Sequence, residues 1–208
     1  MLIQSFSNGT ILSDLYVWWY LLFLAISALA AETIRGIGRR RSLKKQRESI
    51  LSPARPTRFS LLSVPLFLIT GGAWPTPANN TSGLSRKSQI RLALAGPGRN
   101  LLAAACGVLL YSIIQLIGTF FSLTVLSFVF NFFAAFVTAN LSYAFCPLFP
   151  LPGFDGSILL PERWQPRLRR QNGITVFVGL LLFFLLARSG ILNTITTFPL
   201  TLIDAAVQ

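Results

Sequence analysis

Long apolar blocks separated by clusters of basic residues constrain this chain more than any other feature. Hydrophobic residues make up 53% of its 208 positions and charged residues only 12%, whereas about a quarter of the residues in an average soluble domain are charged. Apolar runs of about 20 residues are typical of helices that cross a membrane. The pattern therefore predicts an all-α polytopic membrane protein, with residues 1–208 forming a single transmembrane domain.

We expect about four transmembrane helices, which cover roughly residues 15–34, 92–121, 122–148 and 173–187. A shorter apolar stretch near residues 60–74 contains Pro65, Gly71 and Gly72, and it is predicted to be a re-entrant or β segment that returns to the side it left. The tail over residues 191–207 either extends the bundle or lies along the membrane surface, and the pattern leaves both possibilities open.

The basic residues lie in the gaps between the apolar blocks. The net charge is +12, from 18 Lys and Arg against 6 Asp and Glu, and the positive-inside rule places such loops in the cytoplasm. We therefore predict cytoplasmic basic loops, both termini on the opposite side, and contact with anionic lipid head groups but not with nucleic acid. As an alternative, Ala28-Leu29-Ala30 resembles a signal-peptide cleavage site, although the positive residues follow the apolar run instead of preceding it.

Two short passages carry more specific information. Gly96 and Pro97 near the start of the second apolar block suit the beginning of a helix, and Asn100 in its first turns could satisfy backbone groups or cross-link helices. After the third block, residues 150–156 predict irregular backbone near membrane depth, which is tolerated only inside protein or a watery cavity. Asp155 within this run is costly unless it is paired.

Together these passages resemble the site-2 protease family of intramembrane zinc metalloproteases. Residues 95–100 match the family's A-G-P-x-x-N signature, and residues 147–156 match N-x-x-P-x-P-x-x-D-G, with Pro147 in place of the asparagine. A first helix with basic residues after it and a Gly-Gly segment come before them in the same order. The resemblance covers about residues 15–160, and it implies a membrane-embedded cleft that accepts a transmembrane segment.

The zinc site that the resemblance implies is not preserved. In that family an H-E-x-x-H sequence in the first helix supplies two histidine ligands and a general base, and the D-G aspartate supplies the third ligand. The best-fitting residues 31–35 keep Glu32 but have Ala31 and Arg35 in place of the histidines, and the chain contains no histidine. Asp155 is then the one retained ligand, so we predict no metal, no cofactor and no catalytic residue. An active metalloprotease with non-standard or partner-supplied ligands stays open as the alternative.

Without zinc, Asp155 needs another positive neighbour. We hypothesise that Arg35, with Arg99, forms an ion pair with Asp155 that replaces the metal between the first and third helices; alternatively, Arg35 simply begins the basic loop and extends to water. The predicted remnant site consists of Glu32, Arg35, Gly96, Pro97, Arg99, Asn100, Asp155 and Gly156. The expected function is that of a pseudoprotease, which binds other integral membrane proteins or transmembrane helices without cutting them.

Overall fold

The structure, a computed structural model, shows a bundle of helices joined by short turns and irregular segments. The described residues are 15–45, 58–70, 72–74, 84–151, 154–161, 163, 173–190 and 194. Within them the α-helices are α1 (Leu15–Lys45), α2 (Arg58–Thr70), α3 (Arg86–Leu116), α4 (Leu123–Phe145), a short α5 (Gly156–Leu159) and α6 (Gly173–Arg188). Short 3-10 turns follow α3 at Gly118–Phe120 and α4 at Cys146–Leu148. No described residue lies in a β-strand.

Three helices are long and apolar enough to cross a membrane. These stretches are Trp18–Arg39 in α1, Arg86–Leu116 in α3, and Leu123–Leu148, which comprises α4 and the 3-10 turn after it. At about 1.5 Å per residue, a helix of about 20 residues spans the hydrocarbon core of a bilayer. Both α1 and α3 have 31 residues, so each extends beyond that core. The prediction of an all-α polytopic membrane protein is confirmed at this level.

The second long helix begins earlier than the sequence predicts, and the placement of Gly96 and Pro97 at its start is wrong. The helix starts at Arg86, where the Ser85 side chain caps it by accepting a hydrogen bond from the Ser88 backbone N–H. Pro97 therefore lies in the helix interior, where it has no N–H to donate to the Ala93 carbonyl. This cap stabilises the polar first turns, so the helix begins before its apolar part.

The β alternative for residues 60–74 is also wrong, because residues 58–70 form the helix α2. A single strand would leave its backbone N–H and C=O groups unpaired in an apolar environment, whereas a helix satisfies them internally. The Ser63 hydroxyl forms a 2.6 Å hydrogen bond with the Tyr143 hydroxyl of α4. After the helix, the Ala73 N–H donates to the Ser142 hydroxyl at 2.8 Å, so the segment is fixed to α4 at two points.

Helices α1, α3 and α4 pack against one another in pairs and form the centre of the bundle. α1 and α4 run parallel: the Phe23 ring contacts Phe128 and Phe132 edge-on, with centroids 6.2 and 5.7 Å away. α3 and α4 form an antiparallel hairpin, in which Gly107 lies directly against Phe136 and Val137. Most of the buried residues of these three helices are small; they include Ala28, Ala31, Ala104, Ala135 and Ala139.

The α6 helix coincides with the predicted fourth apolar segment. Its Phe183 ring packs edge-on against Trp74 at 5.3 Å, and Trp74 also packs against Phe154 at 4.9 Å. This aromatic cluster joins α6 to the segments on either side of α3 and α4. With 16 residues, α6 is about 24 Å long, which is shorter than a hydrocarbon core of about 30 Å. The predicted alternatives for residues 191–207 lie outside the described residues, apart from Thr194.

Candidate functional site: a buried charge cluster

Asp155 lies in an ion pair with Arg35 inside the bundle. Arg35 Nη2 is 2.5 Å from Asp155 Oδ2, and the exposed fractions of the two side chains are 1% and 0%. Arg35 therefore turns into the protein, which excludes the alternative that it extends to water from the start of the basic loop. The pair joins α1 to the turn before α5, so the cross-link that the sequence predicts between these parts of the chain is present.

A second arginine completes the cluster, and it is not the predicted one. Arg39 Nη2 lies 3.1 Å from Asp155 Oδ1, so each carboxylate oxygen has its own guanidinium. Glu32 Oε2 lies 3.6 Å from Arg35 Nη1 on the same helix. The prediction that Arg99 helps to neutralise Asp155 is wrong, because the Arg99 side chain instead packs over Gly38 of α1. We call Glu32, Arg35, Arg39 and Asp155 the charge cluster.

Close contact between the backbones of α1 and α3 positions the arginines. A Cβ atom on Gly96 would lie 2.7 Å from Arg35 Cγ, and one on Gly38 would lie 2.5 Å from the Ala95 carbonyl oxygen. Neither position has room for a side chain. The Gly96 of the motif therefore serves to let the Arg35 stem pass across α3, and not to begin the helix.

The turn that carries Asp155 is held from both sides. A Cβ atom on Gly156 would overlap the backbone of Leu148 and Phe149, so the glycine after the aspartate is required by close packing. On the other side, the Arg86 guanidinium donates hydrogen bonds to the carbonyl oxygens of residues 158, 159 and 160 at the end of α5. These contacts hold the turn through groups other than the ion pairs of Asp155.

Asn100 does not play the part that the sequence predicts. Its side chain is fully buried in α3, yet neither its Oδ1 nor its Nδ2 atom has a hydrogen-bond partner among the described residues. It neither satisfies backbone groups nor forms a direct hydrogen bond to another helix in this part of the chain. Asn100, the last residue of the passage 95–100, is therefore a buried polar residue that is distinct from the charge cluster.

The chemistry of the charge cluster is that of an electrostatic cross-link. Two guanidinium groups and two carboxylates sum to zero charge, and arginine stays protonated under all ordinary conditions. Both oxygens of Asp155 accept a hydrogen bond from an arginine, which leaves a metal cation no unopposed approach to that carboxylate. Among the described residues, no group of three or more His, Cys, Asp or Glu side chains is placed to hold a metal ion.

Sequence reasoning missed Arg39 and Arg86. Arg39 lies four residues after Arg35, and residues at this spacing lie on one face of a helix; that spacing was the available signal. Arg86 offered no such signal, because its partners are backbone carbonyl groups that have no sequence signature.

Comparison with known proteins identifies no relative: no family model, no curated protein and no solved structure matches the chain.

Proposed function

We propose that this protein is a catalytically inactive, site-2-protease-like integral membrane protein that binds transmembrane helices as an accessory or structural subunit of a membrane complex. The ion pair between Arg35 and Asp155 is the observation that carries the proposal. Under the resemblance, Arg35 stands at the second histidine position and Asp155 at the third ligand position. The guanidinium then replaces the metal as the cation that neutralises the aspartate.

The absence of catalysis follows from the charges around the two acidic residues. A zinc protease needs three protein ligands and an open position for water. Here Asp155 is bound by two arginines, and Glu32, the general base under the resemblance, lies beside one of them. Arginine cannot act as a zinc ligand, because its guanidinium is always protonated and has no lone pair to donate.

Helix binding is supported by the exposed surface of α1. Trp18, Leu22, Ile26 and Leu29 all have exposed fractions between 46% and 51%, and their spacing of three or four residues places them on one face. Neither α3 nor α4 covers this face. It offers a second transmembrane helix a continuous apolar row along much of the membrane thickness.

The membrane topology that accompanies this function has four spans, with the basic loops in the cytoplasm and both termini on the opposite side. α2 has 13 residues, a length of about 20 Å, so we assign it as a re-entrant helix. The basic extension of α1 to Lys45 would lie at the cytoplasmic leaflet, where each Lys or Arg near anionic lipid contributes on the order of 1 kcal/mol.

Metal analysis and native co-purification together test the proposal. The protein is isolated from its own membranes in a mild detergent, its zinc content is measured, and its neighbours are identified by mass spectrometry. We expect less than stoichiometric zinc and a membrane protein that co-purifies reproducibly. Replacement of Trp18 and Ile26 by alanine, on the exposed face of α1, should weaken that association, whereas replacement of Leu123, which is exposed on α4, serves as the control.

Stoichiometric zinc that is lost in the Asp155→Asn variant would contradict the proposed loss of the metal site and favour the alternative, an active metalloprotease with ligands from elsewhere. A chain that always elutes alone and free of zinc would contradict the accessory role while leaving the protein catalytically inactive.

A further inference from the structure

The three central helices enclose buried polar groups that the charge cluster does not use. Asn100 on α3 and Asn140 on α4 have side chains that are 0% exposed, and Ser27 on α1 is 1% exposed. Both polar atoms of Asn100, the Oδ1 of Asn140 and the hydroxyl of Ser27 have no hydrogen-bond partner among the described residues. A buried carboxamide can form up to four hydrogen bonds, and leaving them unmade in a membrane interior is costly.

The contacts among the three helices place the two asparagines about one turn apart in depth. On the α1 side, Gly96 lies against Arg35, and because α1 and α3 are antiparallel, Asn100 one turn further on lies level with Ala31. On the α4 side, Gly107 lies against Phe136 and Val137, and because α3 and α4 are antiparallel, Asn140 one turn further on lies level with residues 103–104 of α3, about one turn from Asn100.

Helical periodicity points both asparagines towards the line where the three helices meet. On α4, Ala139 and Tyr143 belong to the core that includes α1, whereas Val137 and Leu141 pack with Ala104 of α3. With 3.6 residues per turn, Asn140 lies between these two faces.

The same reasoning applies to α3. Gly96 packs against α1 and Gly107 packs against α4, and at 3.6 residues per turn Asn100 lies within about 40° of both glycines around the helix axis, on the same face of α3. Ser27 lies one turn before Ala31 on α1, so it lies about one turn from the level of Asn100 and close to the level of Asn140.

The residues around the asparagines are small. Ala28, Ala31, Ala104 and Ala139 are fully or almost fully buried there and carry no more than a methyl group, so no large side chain at these four positions fills the space beside the asparagines.

We infer that Asn100, Asn140 and Ser27 form a binding site for water at the junction of α1, α3 and α4. A water molecule both donates and accepts, and it typically forms about three hydrogen bonds to buried polar groups. It therefore bridges an Asn100 donor to the Asn140 Oδ1 acceptor while it donates to Asn100 Oδ1 or to Ser27. Asn140 Nδ2 already donates to the Phe136 carbonyl at 2.9 Å, so we assign the Oδ1 of that asparagine, which has no partner among the described residues, as its contact with the water.

In the alternative arrangement no water is bound, and Asn100 forms a hydrogen bond directly with Asn140. Nuclear magnetic resonance distinguishes the two arrangements in the unmodified protein. The chain is labelled with [15N,13C]asparagine, reconstituted in nanodiscs, and the side-chain amide protons are tested for nuclear Overhauser effects to water. Correlations through the labelled Cβ and Cγ atoms group the two side-chain amide protons of each asparagine. The effect can therefore be detected in the unmodified protein, and variants are needed only to assign the signals.

We expect a negative Overhauser effect between long-lived water and the Asn100 amide protons. The matched control is Asn131 on the same helix as Asn140, whose Nδ2 donates to the Ser127 carbonyl at 2.9 Å and should show no such effect. Asn100→Leu and Asn140→Leu identify the two signals, and Asn140→Leu should at least halve the effect at Asn100. A scalar coupling across a direct Asn100–Asn140 hydrogen bond, or an Asn100 amide without any water contact, would overturn the inference.

Discussion

At the scale of single residues, the charge cluster shows how two arginines neutralise a buried aspartate. Taking Asp155 out of water is expensive, and an ion pair compensates only when its geometry is good and further hydrogen bonds satisfy the remaining atoms. Arg35 and Arg39 supply one donor to each carboxylate oxygen. The cluster is therefore sensitive to the loss of either sign of charge.

Replacement of Arg35 by methionine tests this sensitivity. Met has a similar apolar stem but no charge, so the variant leaves Asp155 with Arg39 alone, and breaking one side of a buried pair costs about 3–5 kcal/mol. We expect a loss towards the lower end, measured by chemical unfolding in mixed micelles. Arg91 is exposed on α3, and Arg91→Met should change stability by less than about 0.5 kcal/mol. Equal effects of the two variants would show that the ion pair contributes nothing to the fold.

At the scale of the helices, glycine determines how closely α1 and α3 approach. Gly36 and Gly38 lie two residues apart on α1, but a Cβ atom on Gly36 would meet nothing within 4 Å, whereas one on Gly38 would meet the Ala95 carbonyl oxygen at 2.5 Å. The two positions form a matched pair, with the same helix propensity and different surroundings.

Alanine substitution at these two glycines should therefore act in opposite directions. Gly36→Ala is expected to stabilise the protein by about 0.5–1 kcal/mol through helix propensity, and Gly38→Ala to destabilise it by about 1–3 kcal/mol because the helices must separate. Thermal unfolding followed by circular dichroism measures both. Stabilisation by both alanines would mean that α1 and α3 are not in contact at Gly38.

Arg86 connects the first turn of α3 to the end of α5. Arg86→Ala removes charge-assisted hydrogen bonds to backbone carbonyls, each worth about 1.5–3 kcal/mol, and should loosen the turn that holds Asp155. Lys87 is exposed, so Lys87→Ala is the control and should have little effect. Hydrogen exchange of the backbone amides at Ser157 and Ile158 measures the change, and unaltered protection in Arg86→Ala would contradict the role of this contact.

The sequence predicts the long helices and the partner of Asp155, because both follow from general physical rules. Apolar length identifies α1, α3 and α4, and the cost of a buried carboxylate requires a cation such as Arg35 near Asp155. The spacing of Arg39 from Arg35 places both on one face of α1, but it does not exclude Arg99, whose position depends on how α1 and α3 are rotated about their axes. The helical form of α2 and the interior position of Pro97 were missed because proline and glycine usually mark helix ends, and here the contacts with α1 and α4 outweigh that local preference.

At the scale of the whole molecule, the α3–α4 hairpin offers a test of membrane orientation. Its two helices are capped by serines, Ser85 before α3 and Ser122 before α4, and both serines are exposed. These caps lie at opposite ends of α3, because the connection that contains Ser122 follows its last turn. They should therefore lie on opposite sides of the membrane.

Labelling with a membrane-impermeant maleimide in intact cells measures this orientation. Ser122→Cys should be labelled from outside and Ser85→Cys only after the membrane is opened, since the basic residues of α3 belong to the cytoplasmic side. The unmodified chain is the control: Cys146 is buried, and Cys106 is exposed but lies within the candidate membrane span of α3, where lipid would shield it from an impermeant reagent, so neither should react. Labelling of Ser85→Cys from outside would reverse the proposed topology.

The zero net charge of the cluster has a consequence for its response to voltage. A single unpaired arginine at this depth would experience the transmembrane electric field, at about 2.3 kcal/mol per elementary charge per 100 mV when it crosses the whole membrane. Glu32, Arg35, Arg39 and Asp155 together would move no net charge if they shifted as a unit. A movement of this contact as one unit would therefore couple little to a change in membrane potential.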